Sequence, residues 1–125
     1  MTIMEKQLPV IQKVLELSET MGEGLQHIQY LLNEGKIESA LPLFEDVIYA
    51  FSVSEQSLQP VIESQHFDTI QAQHHTFRES LQYIVTILEK GEFEKGKEVL
   101  QFTLLPRWKK WSSTLETSFR AYLVS

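Results

Sequence analysis

A chain of 125 residues with a 42% apolar share can bury the core of one domain, and is too apolar for a disordered segment. It has no cysteine, which excludes disulfide staples, thiolate metal sites and cysteine nucleophiles. The net charge of −6 sits in residues 1–60, with three Lys against nine Asp and Glu, while residues 61–125 balance at eight against eight; so acidic a chain lacks the basic surface that nucleic acid requires.

The start, Met1-Thr2-Ile3-Met4-Glu5-Lys6, has no apolar signal-peptide core, and no run of about 18 apolar residues could span a membrane. The expected setting is the cytoplasm.

The first helix is expected to begin near Pro9, since proline suits a first turn where its missing N–H would be unpaired anyway. Val10, Val14, Leu17, Met21, Leu25, Ile28 and Leu32 recur at steps of three and four, one apolar stripe. Gly22 and Gly24 interrupt it, implying close approach of another helix or a hinge, and Gly35 stops it as a left-handed C-terminal residue.

A second helix is expected to begin within Lys36–Ser39, with Ser39 a candidate N-cap that leaves Pro42 in the first turn. Its stripe is Ala40, Leu41, Phe44, Val47, Ile48, Phe51 and Leu58, and Gln59-Pro60 marks its end, because the residue before proline disfavours the helical region. The third helix carries Phe67, Ile70, His74, Phe77, Leu81, Ile84 and Leu88, with a histidine where a core residue is expected. The fourth, from about Glu92 to Leu123, carries Phe93, Val99, Leu100, Leu104, Trp108, Trp111, Leu115, Phe119 and Tyr122, and Pro106 inside it predicts a kink.

One pattern occurs twice. Residues 25–38 and 81–94 both read L-Q-x-I-x-x-[LI]-L-x-x-G-x-[IF]-E: a helix end, a glycine stop and the start of another helix. Two such hairpins, about 9–59 and 60–123, predict an all-α, antiparallel four-helix bundle in one domain built from a duplicated unit.

The segment Leu31-Leu32-Asn33-Glu34-Gly35-Lys36-Ile37-Glu38-Ser39-Ala40-Leu41 resembles the junction of tetratricopeptide repeats, although the spacing of the two copies departs from the ~34-residue period of that family. The long-helix form is similar to small uncharacterised helical proteins of Gram-positive bacteria, classed as domains of unknown function. The junction also resembles flagellar export chaperones of the FliT kind, small acidic bundles that shield a partner's helix; that resemblance implies a chaperone role.

The residues nominate no catalytic or cofactor site: there is no nucleophile elbow and no Gly-rich phosphate loop. The expectation is a non-enzymatic protein-binding module without a cofactor. A metal-binding bundle is the alternative, resting on His66, His74 and His75, with Glu63-x-x-His66 as its one motif. Pro106-Arg107-Trp108-Lys109-Lys110-Trp111 interleaves bases with aromatics, but both tryptophans fall on the apolar stripe, predicting core residues beside a solvated basic edge. Tyr49, Phe102 and Leu105 fall at or beyond the stripe margins, predicting a dimer or partner interface on the fourth helix and the adjoining part of the second.

Overall fold

The computed structural model describes residues 3–65 and 67–123, with side chains from Glu5 onward. Helix α1 (Ile3–Asn33) and α2 (Ile37–Gln65) form one hairpin. Helix α3 (Asp68–Glu89) pairs with a fourth rod made of α4 (Phe93–Val99), a π-helical turn (Leu100–Leu104) and α5 (Leu105–Leu123). The rods close a ring in which α1 touches α2 and the fourth rod, and α3 touches the fourth rod and α2. This is the expected all-α, antiparallel four-helix bundle.

The two glycine stops are alike in every backbone bond. Gly35 and Gly91 have φ of 74° and 80°. Gly35 N–H donates to the Leu32 carbonyl and Lys36 N–H to that of Leu31; Gly91 donates to Leu88 and Glu92 to Ile87. These are Schellman closures, which need a left-handed residue that glycine adopts without a Cβ clash.

Prolines did not mark the helix ends as expected. α1 begins before Pro9, and α2 begins at Ile37 and runs through Pro60 to Gln65, so Ser39 is inside the helix and not its cap. The second helix therefore ends at Gln65 and the third begins at Asp68, so the first hairpin extends past Pro60. All four prolines are on solvent-exposed positions, where a helix tolerates the lost hydrogen bond better than in the core.

The two hairpins share one register of buried positions. Val14, Ser18, Met21, Leu25, Ile28 and Leu32 are matched 56 residues later by Ile70, His74, Phe77, Leu81, Ile84 and Leu88. The offset holds through Ala40 with Gly96 and Phe44 with Leu100, then becomes 57 for Val47 with Leu104, Leu58 with Leu115 and Ile62 with Phe119. The extra residue is absorbed in the π turn, where Leu105 N–H donates to the Leu100 carbonyl five residues back. Steps of four overshoot a 3.6-residue turn, so Gly96, Leu100 and Leu104 would rotate off the core without that wider turn. The disturbance expected at Pro106 thus takes the form of a π turn just before it, around the Phe102 carbonyl that its ring would meet.

Most expected stripe residues are buried, but Leu41 and Phe93 are exposed and Ile48, Phe67, Val99, Trp108 and Tyr122 only half-buried, and in α1 Ile11 and Ser18 face inward where Val10 and Leu17 were expected. Ser18, Ser54 and Ser80 are buried because each hydroxyl donates to a carbonyl of its own helix, at Leu15, Ala50 and Thr76.

Candidate partner-binding groove

The ring is not evenly closed. α1 and α2 pack in close contact along their length, whereas α2 and α3 make the sparsest contact of any neighbouring pair. Small residues explain the tight side. A Cβ on Gly24 would stand 3.3 Å from Val47 Cγ2, and Ala40 is fully buried. Bulk explains the open side, where the tilted rings of Phe51 and Phe77 pack with centroids 4.9 Å apart and hold the backbones away from each other.

The gap is a groove of about 370 Å³ between α2 and α3, walled by Ile48, Ser52, Gln82 and Val85 over a floor of Phe51 and Leu81. One end is closed by Arg78 of α3, paired with Glu55 of α2. At the glycine-turn end of the same two helices a second hollow of about 700 Å³ is lined by Ile37, Leu41, Leu88 and Phe93. Leu41 and Phe93 are 39% and 38% exposed, so apolar surface continues to the end of the bundle. The walls are apolar and polar but uncharged, with charge at the ends: Arg78 and Glu55 at one, Lys36, Glu38 and Glu89 at the other.

The expected interface residues lie elsewhere. Tyr49 and Phe102 are 73% and 70% exposed, and Leu105 is half-buried against the core. Tyr49 stands on the outer face of α2, outside the groove lining. α2 and the fourth rod occupy opposite corners of the ring and meet across the core, where Phe51 and Trp111 ring centroids are 5.5 Å apart. A single surface joining the fourth helix to an adjoining part of the second is therefore not formed: alternate helices of an up-and-down bundle are diagonal, not adjacent.

The histidines are dispersed. His74 is 2% exposed, edge-on to Phe51 and Trp111 at 5.6 and 5.8 Å, and burial among these rings lowers its pKa from 6.5 to about 4. His74 Nε2 and Trp111 Nε1 have no hydrogen-bond partner among the described residues. His75 is exposed and pairs with Glu79 at 2.8 Å, and His66 lies outside the described residues. Among the described residues no three His, Asp or Glu side chains converge to hold a metal ion.

The two tryptophans divide the Pro106–Trp111 segment. Trp111 is fully buried, while Trp108 is half-buried and donates from Nε1 to the Ser18 carbonyl at 2.8 Å. Lys109 and Lys110 face solvent. Among the described residues no helix is long and apolar enough to cross a membrane.

One signal of the groove is legible in the sequence. The apolar set of α2 is broader than the roughly three positions in seven that a core needs. Leu41 and Ile48 are its surplus, and Val85 supplies the facing wall.

No curated protein and no solved structure matches the chain. Residues 9–114, however, match a family described as a domain of unknown function, DUF8042, and the chain belongs to that family.

Proposed function

We propose that the protein is a non-enzymatic, cytoplasmic module that binds a partner protein by receiving an amphipathic helix in the α2–α3 groove. The observation that carries this reading is the uneven ring: α2 and α3 make the sparsest contact of the neighbouring helices and leave Ile48 and Val85 half-buried above Phe51 and Leu81. A helix laid there would bury its apolar face against that floor, with charged groups at both ends of the groove to set its register. The shared register of buried positions supports descent of both hairpins from one duplicated unit.

Shielding the helix of an exported or flagellar subunit is a particular case of the same binding mode, and the resemblance to FliT-type chaperones favours it. A second surface, Phe102 with Leu105 three residues on, supports self-association through the fourth rod, because a 70% exposed phenylalanine next to a half-buried leucine is apolar area a partner could cover.

The test is affinity capture from the source cells with wild type, with Ile48→Asp/Val85→Asp and with Phe102→Ser/Leu105→Ser. The groove reading expects one co-purifying protein to be lost with the first double variant and retained with the second. Loss only with Phe102→Ser/Leu105→Ser would move the interface to the fourth rod.

A further inference from the structure

The second hairpin carries a cationic face that the groove reading does not use. Along α5 an open furrow of about 560 Å³ runs from Pro106 to Ser118, bordered by Lys109, Lys110 and hydroxyl side chains including Ser113 and Thr117. It shares Lys110 with a hollow of about 350 Å³ between α5 and α3, walled by Arg107, Gln73, Thr69 and Thr76. Neither lining contains a carboxylate, in a chain with 17 Asp and Glu against 11 Lys and Arg.

The face is also partly fixed in place. Arg107 donates to the Thr76 carbonyl at 3.3 Å and to Ser80 Oγ, which pins its guanidinium to α3. Gln73 Nε2 donates to Thr114 Oγ1 at 3.0 Å, tying the two helices across the hollow. Neither Lys109 nor Lys110 has a carboxylate partner among the described residues.

From this geometry we propose that the α3–α5 face binds a carboxylate-rich segment of a protein partner. From Pro106 to Ser118 the furrow spans twelve helical steps, about 18 Å at 1.5 Å per residue, the length of a short extended peptide and far more than a single small anion fills. Three cations supply Coulomb attraction, and the hydroxyls of Ser113 and Thr117 can donate to carboxylate oxygens, whereas Thr76 and Thr114 donate to carbonyls of their own helices. Nucleic acid fits less well. Single-stranded nucleic acid binds largely by stacking its bases on aromatic rings, and Trp108 and Trp111 are turned into the protein and offer no such surface. The same inward rings leave the face without the aromatic anchors of a membrane surface.

The site is independent of the α2–α3 groove, so its test does not depend on that reading. The probe is fluorescein-labelled octaglutamate, titrated with the full chain in low-salt buffer and followed by anisotropy. Saturable binding that weakens with added salt is expected. Lys109→Glu/Lys110→Glu should weaken it about tenfold or more, while Lys13→Glu/Lys90→Glu, with the same change in net charge away from the face, should change it little. All four lysines are exposed, and circular dichroism melts confirm that both variants are folded. Absence of saturable octaglutamate binding, equal weakening by the two double variants, or tighter binding of an oligothymidylate of equal charge would each overturn the proposal.

Discussion

The indole of Trp108 lies across Gly22, and it occupies the space that a side chain at that position would need. A Cβ on Gly22 would overlap the six-membered ring, and the Nε1 bond to the Ser18 carbonyl anchors the ring one turn away on the same helix. Gly22 is therefore the seat through which α5 docks on α1. In an exposed helix Gly→Ala would stabilise by about 1 kcal/mol, but here it forces the ring outward or strains the packing by about 1–3 kcal/mol. Gly22→Ala is expected to lower stability in urea melts and to red-shift tryptophan emission. Equal or higher stability with unchanged emission would show that the ring does not depend on the glycine.

Gly35 and Gly91 are glycines for a different reason. Nothing lies within 4 Å of a Cβ at either, so only the left-handed backbone resists substitution. Gly35→Ala and Gly91→Ala should each destabilise by about 1–2 kcal/mol, and by similar amounts, because the two turns share the same backbone bonds. Thermal melts check this; a large difference between them would point to a contact that only one turn makes.

Helix number, the glycine stops and most of the core were legible because apolar spacing and left-handed glycines are local signals. The proline ends were misread: Pro9 and Pro60 lie on solvent faces, where a helix can run through them, and whether a proline faces solvent is a tertiary fact. Ser18 and Ser54 were missed as core residues because their hydroxyls are satisfied by carbonyls within their own helices, which spacing does not reveal. The α2–α3 groove was hidden because its walls come from both hairpins, and nothing local states that Phe51 and Phe77 hold two helices apart.

His74 makes stability depend on pH. Its folded pKa of about 4 lies below the unfolded value of 6.5, so the unfolded chain binds more protons between these values. Stability from the neutral ring is therefore full above pH 6.5, declines as pH falls and is lost below about pH 4, a difference on the order of 3 kcal/mol. His74→Leu should flatten the wild-type decline across this window, measured by urea midpoints at several pH values. Identical pH profiles for the two proteins would contradict the burial of a neutral imidazole.

Core and groove wall should respond differently to truncation. Leu81 is 3% exposed and Leu32 fully buried, so changing either to alanine should cost about 2–5 kcal/mol. Val85 is only half-buried at the groove edge, and Val85→Ala should cost well under half as much. Denaturant melts that rank Val85 with Leu81 would mean the groove is closed core and not open surface.

The central claim, that a partner lies between α2 and α3, is tested most directly by site-specific photo-crosslinking in the source cells. A photoreactive residue replaces Ser52 or Gln82, which face each other across the groove, or Glu19 on the exposed side of α1. The expected result is one adduct, of the same protein, from both groove positions and none from Glu19. Adducts absent at Ser52 and Gln82, or no more frequent there than at Glu19, would contradict a partner in the groove.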